Sequence, residues 1–106
     1  QASLSGAKLN KAVLHGAFLR SASLTGADLQ GIQANCADLR LADLSGANLT
    51  GASLRETNLE EANLRAANLS EAVLAGAMLK QTRMIDTIMP DRTKKGLFTS
   101  LKKFTG

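Results

Sequence analysis

Leucine recurs at every fifth position of this chain, and alanine or threonine usually lies two places before it. On an α-helix each residue advances by about 100°, so leucines five apart never gather on one face. On a flat strand five steps reverse the face, so successive leucines would point to opposite sides. A short extended segment followed by a bend keeps every alanine and leucine on the same inner side. The spacing therefore predicts a chain that turns every five residues.

The five-residue register is unbroken from the first residue to Pro90, which makes eighteen units. Leucine is the central residue, position i, in fifteen of them, and Ala34, Met84 and Met89 replace it in the others. Position i−2 is alanine in fourteen units. We predict that both positions line one core, whose central leucines include Leu24, Leu29, Leu44, Leu49, Leu54, Leu59, Leu64 and Leu69.

One unit, "GIQAN", exchanges the small and large positions, with Ile32 at i−2 and Ala34 at i. The combined volume is roughly kept, which packed interiors tolerate best, so the exchange indicates that both positions face the same core. The seven glycines of the repeat region all fall at i+2. Because turns that need positive φ accept glycine at least cost, we place the bend at i+1 and i+2.

A fixed short period is typical of solenoids, in which each unit is stable only when stacked on its neighbours. The pattern A(D/N)Lxx, clearest in "CADLRLADLSGANLTGASL" from Cys36 to Leu54, resembles the pentapeptide-repeat family and extends over about 85% of the chain. The resemblance implies an all-β solenoid, a right-handed quadrilateral parallel β-helix with four units per coil and about four and a half coils. Ser5, Thr25 and Ser45 are similar residues spaced twenty apart, which is compatible with four units per coil.

Length and composition indicate one small domain with an aliphatic core, because the 106 residues are 44% hydrophobic and include neither tryptophan nor tyrosine. No stretch approaches the length of a transmembrane helix, and no signal-like segment opens the chain. Gln1 already lies inside the repeat register, so we expect the chain to be a fragment or a processed form. Val13 and Phe18, apolar at outward i−1 positions, are expected either to meet a preceding segment or a second copy, or to be ordinary exposed residues.

Catalytic chemistry has no visible basis in the sequence. Cys36 is the single cysteine and His15 the single histidine, which leaves neither an intrachain disulfide nor a zinc-ligand set. The carboxylates are scattered over the turns, and no serine or threonine has an adjacent base. We therefore predict no enzyme activity, no cofactor, no metal and no small-molecule substrate.

The charges divide the chain at Pro90. Residues 1–90 hold eight basic and eight acidic side chains, whereas residues 91–106 hold the whole net charge of +4. Apolar residues of this tail recur at helical spacing beside lysines, which predicts a short amphipathic helix. Three roles stay open: a cap over the end of the solenoid, an anchor to a membrane surface or acidic partner, or a disordered tail. The residues concerned are Lys94, Lys95, Leu97, Phe98, Leu101, Lys102, Lys103 and Phe104.

If four units make a coil, three cations stack at i+1 of one side: Arg20, Arg40 and Lys80, interrupted by Glu60. Arg55 and Arg65 would then lie on the adjoining sides. This cationic ladder is a candidate site for an anion or an acidic protein. The alternative is a solvated face on which neighbouring carboxylates balance the cations.

The function predicted from these features is a non-enzymatic structural or protein-interaction module, a rigid rod with polar faces and an unidentified protein partner. One alternative is binding to a membrane surface or an acidic partner through the tail. Another alternative is the gyrase-interacting, DNA-mimicking branch of the family, which the neutral rod and basic tail disfavour. A nucleic-acid partner is not expected. We expect a monomer or a weak end-to-end dimer. The compartment is undetermined by the residues, and the resemblance to cyanobacterial and chloroplast members implies a cytoplasmic or thylakoid-associated protein.

Overall fold

The architecture is that of a computed structural model, which describes residues 3–93 and 102–105. Successive coils pair through fourteen single parallel β-bridges, and every bridge joins two residues twenty apart, from Ser3 with Ser23 to Asn68 with Ile88. One coil is therefore twenty residues, or four pentapeptides, as the family resemblance implies. Residues 3–93 make about four and a half such coils. Each paired segment is a single bridged residue, because the chain turns before a longer strand can form.

Stacking the coils in steps of twenty creates four sides, which we name by their central residues. Side 1 has Leu4, Leu24, Leu44, Leu64 and Met84; side 2 has Leu9, Leu29, Leu49, Leu69 and Met89; side 3 has Leu14, Ala34, Leu54 and Leu74; side 4 has Leu19, Leu39, Leu59 and Leu79.

Backbone hydrogen bonds explain how one unit repeats. In the unit around Leu24, the Leu24 N–H donates to the Asp43 carbonyl oxygen at 2.7 Å, and the Gly26 N–H donates to the Ser45 carbonyl oxygen at 2.9 Å, both in the next coil. The Ala27 N–H donates back to the Leu24 carbonyl oxygen at 3.1 Å and closes a β-turn. Gly26, the third residue of that turn, has a φ of 65°, the feature that defines type II turns.

Every i+2 residue from Gly6 to Asp86 has a positive φ, which confirms the position predicted for the bend. Glycine fills seven of these corners, and residues with a Cβ fill the rest, where the left-handed conformation is less favourable. None of the residues at these corners is β-branched. The ten corner residues other than glycine are Lys11, Ser21, Cys36, Leu41, Glu56, Glu61, Ala66, Glu71, Gln81 and Asp86.

The core is the aliphatic interior of the coils. The eight central leucines named from the sequence are each at most 2% exposed, and Ile32 and Ala34 are buried as well. Threonine is accommodated at position i−2 because its hydroxyl donates a hydrogen bond to a backbone carbonyl oxygen. Thr57 Oγ1 donates to the Ala34 carbonyl oxygen at 2.9 Å, and Thr82 Oγ1 donates to the Leu59 carbonyl oxygen at 2.7 Å. A buried hydroxyl therefore costs little at this position.

The regular register ends just after Pro90. The Pro90 carbonyl oxygen still accepts from the Glu71 N–H at 2.9 Å, but the positive φ expected at Asp91 lies instead at Arg92, at 69°. The Arg92 N–H donates to the Met89 carbonyl oxygen at 2.7 Å, and its guanidinium pairs with Glu71 at 3.0 Å. The final turn thus keeps the hydrogen bond between residues three apart, but its left-handed residue lies one position later than in the turns before it.

A short helix, α1 (Lys102–Thr105), lies near the C-terminal end. Its Phe104 packs against the core cluster, and the Thr105 carbonyl oxygen accepts from the Gly76 N–H at 2.7 Å. The remaining tail residues named from the sequence, Lys94, Lys95, Leu97, Phe98 and Leu101, lie outside the described residues. Within the part of the chain that is described, no helix is long and apolar enough to cross a membrane.

Candidate functional site

The cationic ladder lies where the stride of twenty predicted it. A groove of about 270 Å³ runs along side 4 and the corner after it. It is lined by Arg20, Arg40, Leu41, Glu60, Glu61, Lys80 and Gln81. The groove therefore contains both signs of charge.

Arg40 is held by a carboxylate of its own unit. Its Nη2 lies 2.7 Å from Asp38 Oδ2 and its Nε 2.9 Å from Asp38 Oδ1, a bidentate pair. The hydrogen bond from Arg40, assisted by the charge of Arg20, lowers the pKa of Asp38 to about 2. Among residues 3–93, Arg20 and Lys80 form no such ion pair. The ladder consequently holds one neutralised cation and two that remain available.

Side 4 also carries exposed apolar side chains along its length. The described residues include five exposed large hydrophobic side chains, and three belong to this side: Phe18 is 90% exposed, Leu41 44% and Met78 45%. The other two, Val13 and Ile85, lie on sides 3 and 1. Sequence reasoning singled out Phe18 but missed Leu41 and Met78. The stride of twenty, which puts Phe18 and Met78 in one column, was the signal available.

Arg55 and Arg65 lie apart from this groove. Arg55 lines a separate groove of about 350 Å³ on side 3, together with Glu56, Ala75 and Gly76. Arg65 lies on side 1. The structure therefore brings together Arg20, Arg40 and Lys80 but leaves these two arginines on the adjoining sides.

Most Asp and Asn residues at i−1 have a structural task. Their side-chain oxygen accepts the backbone N–H of i+1, as between Asp38 and Arg40 at 3.1 Å and between Asn58 and Glu60 at 3.1 Å. This is the hydrogen bond of an Asx turn, which Asp and Asn favour because their side chains are short. Similar bonds join Asp28 to Gln30, Asp43 to Ser45, Asn48 to Thr50, Asn63 to Arg65 and Asn68 to Ser70. Asp91, which follows the regular register, forms the same kind of bond with Thr93. These carboxylates and amides support the fold and are poor candidates for chemistry.

The single histidine and cysteine lie on side 3. His15 Nδ1 accepts from the Asn35 N–H, and the exposed thiol of Cys36 lies 3.6 Å from Glu56 Oε1. Across the described residues, no three metal-binding side chains come together.

Comparison with known proteins agrees with this architecture. The family model for pentapeptide repeats matches eight copies over residues 2–40, 22–60 and 52–89. No curated protein sequence matched the chain.

Several solved structures are similar. A pentapeptide repeat protein of Nostoc, alr5209, is 30% identical with a TM-score of 0.74, over 92% of this chain and 82% of that one. HetL of Nostoc, a pentapeptide repeat protein involved in heterocyst differentiation regulation, is 35% identical with a TM-score of 0.56, over 89% of this chain. A thylakoid-lumen pentapeptide repeat protein of Arabidopsis thaliana is 31% identical with a TM-score of 0.58, over 81% of this chain.

The chain spans 54% of HetL and 60% of the Arabidopsis protein, and so is shorter than either. The repeat register, the twenty-residue coil and the family match together identify it: this chain belongs to the pentapeptide repeat family.

Proposed function

We propose that this chain is a non-enzymatic protein-interaction module, which presents side 4 of a stiff, right-handed rod to a protein partner. The observation on which the proposal rests is that Phe18, Leu41 and Met78 are exposed along the same side as Arg20 and Lys80. Aromatic residues, methionine and arginine are enriched where proteins bind one another. A stacked β-scaffold supports such a face because its backbone is fixed by hydrogen bonds between coils.

The charges of side 4 define the partner further. Its three cations face three carboxylates, Asp38, Glu60 and Glu61, so the side is neutral overall. A purely acidic partner would gain little binding free energy from a neutral face, because each exposed ion pair contributes about 0 to 1 kcal/mol. The face instead suits a protein surface with apolar side chains opposite Phe18 and Met78 and mixed charges between them. Binding should therefore weaken only modestly with salt.

Affinity capture from a cyanobacterial extract tests the proposal with a matched pair of variants. The double substitution Phe18→Ser with Met78→Ser removes two of the three exposed apolar side chains of side 4. The control, Val13→Ser with Ile85→Ser, removes two similarly exposed side chains from other sides. We expect the wild type and the control to retain the same specific protein and the side 4 variant to lose it. Equal capture by all three, or loss with the control alone, would refute the assignment to side 4.

We also propose that the C-terminal tail is a cap and not an anchor. The contacts that support this are the packing of Phe104 on the core and the bond from the Gly76 N–H to the Thr105 carbonyl oxygen. In the preceding coils, the backbone N–H at i+2 donates to a carbonyl oxygen of the next coil. Thr105 supplies the corresponding acceptor for Gly76, where the repeat has ended. A solenoid end needs such cover because its edge otherwise exposes unpaired backbone groups.

A further inference from the structure

The core of the first coils encloses an apolar cavity of about 140 Å³. Central leucines of the first two coils form its wall, Ile32 and Ala34 border it, and Leu44 and Leu49 of the third coil close it. Every lining residue is aliphatic. The cavity lies on the rod axis and is separate from the outward face of side 4.

The cavity begins at the first coil. Leu4 and Leu14, which line it there, are only partly buried, whereas Leu44 and Leu49 are each 1% exposed. The third coil therefore closes the axial pocket at its inner end.

Ala34 accounts for part of the space. On side 3 it stands between Leu14 and Leu54, where it is the one small residue in a column of leucines. Ile32, at position i−2, replaces part of the side-chain volume that Ala34 lacks. Both residues nevertheless line the cavity, so the exchange does not fill the core completely. Leucine at 34 would extend into the space that alanine leaves.

The chemistry of the lining selects the occupant. Water inside a cavity needs two to four polar partners, and this lining supplies no polar side chain. An apolar cavity of about 150 Å³ in another protein stays dry and binds benzene or xenon. We propose that the axial pocket is a binding site for small, uncharged, apolar molecules about the size of benzene. The proposal is independent of the protein-binding role of side 4.

Methyl NMR of the leucines, with benzene as the probe, tests the site. We expect benzene to shift the methyl resonances of Leu14, Leu24 and Leu39 saturably and to leave those of Leu69 and Leu74 unchanged. Pyridine, of similar shape, should shift them at least tenfold less at equal concentration, because its ring nitrogen would lose hydrogen bonds with water and find no donor. Unmoved resonances at benzene saturation, or equal responses to the two molecules, would overturn the proposal.

Two substitutions, each of which installs the usual central leucine, form a matched pair. Ala34→Leu fills the pocket and should weaken benzene binding at least tenfold. Met89→Leu, at a fully buried position in the last coils, should leave binding unchanged. Should Ala34→Leu fail to fold, Ala34→Val makes the same test with a smaller side chain. Wild-type affinity in a folded position-34 variant would refute the site.

Discussion

The backbone N–H of Asn35 donates to His15 Nδ1, 3.0 Å away and one full coil earlier in the chain. Asn35 repeats the arrangement, because its Oδ1 accepts from the Arg55 N–H at 2.9 Å. In seven units on the other sides an Asp or Asn at i−1 accepts this N–H within its own unit, but side 3 has Gln33 and Ser53 at the corresponding positions. Side 3 therefore satisfies the same backbone group with side chains that reach between coils.

Substitutions at His15 test this bond between coils. His15→Leu removes the acceptor and should lower the free energy of unfolding by about 0.5 to 1 kcal/mol, since the site is exposed to water. His15→Asn retains an acceptor of the kind that Asn35 provides to Arg55, and should cost clearly less. Urea denaturation of the two variants measures the difference. Equal losses would show that the bond does not contribute to stability.

Leu49→Arg should unfold the central coils. The Leu49 side chain is 1% exposed in the middle of the aliphatic core, where a guanidinium would be buried without a partner. Gln33→Arg introduces the same side chain at an exposed outward position and should change stability by less than about 0.5 kcal/mol. Thermal unfolding of both variants makes the comparison, and an unchanged melting temperature for Leu49→Arg would contradict the packing.

Leu41→Gly should stabilise the rod. Leu41 has a φ of 61° and a half-exposed side chain, so glycine relieves a left-handed conformation at a small loss of packing. The expected gain is about 0.5 to 1 kcal/mol. Gly46→Ala is the reverse change at a corner where an added Cβ meets no atom within 4 Å, and it should destabilise by a similar amount. Chemical denaturation decides, and a loss of stability in Leu41→Gly would disprove corner strain.

The ion pair between Asp38 and Arg40 predicts a dependence on acid. The pKa of Asp38 falls from 3.8 to about 2 in the folded chain, chiefly through the hydrogen bond from Arg40. Because the folded pKa is depressed, this stabilisation is present above pH 3.8 and is lost as the pH falls towards about 2. Asp38→Asn keeps the acceptor oxygen and removes the charge. The stability difference between wild type and variant should shrink over that range, and a constant difference would contradict the pair.

Removing residues 94–106 tests the capping proposal. The cut follows Thr93, because Thr93 and Arg92 still take part in the last turn. Loss of a cap should lower the melting temperature or cause aggregation, whereas loss of an anchor should leave folding intact. Phe104→Ala should reproduce part of the destabilisation, by about 1 kcal/mol, since the ring is only partly buried. Unchanged stability in both variants would refute the cap.

Much of the fold could be predicted because the core repeats in the sequence itself. The leucine register, the corner at i+2 and the end near Pro90 each follow from spacing and turn chemistry. Four units per coil came mainly from the family resemblance, since the pentapeptide spacing shows only that the chain turns. The bond from Asn35 to His15 could not be predicted, because it depends on which side chains the coil length brings together.

The candidate site was less accessible to sequence reasoning than the core. Arg20, Arg40 and Lys80 could be aligned by counting in twenties, but the bidentate pairing of Arg40 depends on rotamers. Nothing in the five-residue spacing distinguishes Leu41 from the other corner residues, and Met78 aligns with Phe18 only when the stride of twenty is applied to position i−1. The cavity beside Ala34 was missed because Ile32 restores the volume of the unit without restoring its shape.

The twenty-residue coil has a consequence for how such a rod can change over generations. Loss of one pentapeptide between Arg40 and Lys80 would leave every leucine in the interior, because the five-residue register is unaffected. All later units would nevertheless rotate by a quarter turn, and Lys80 would move to the side next to that of Arg20. Gain or loss of a single repeat can therefore change which outward side chains share a side along the rest of the rod. Only gain or loss of repeats in multiples of four preserves that alignment.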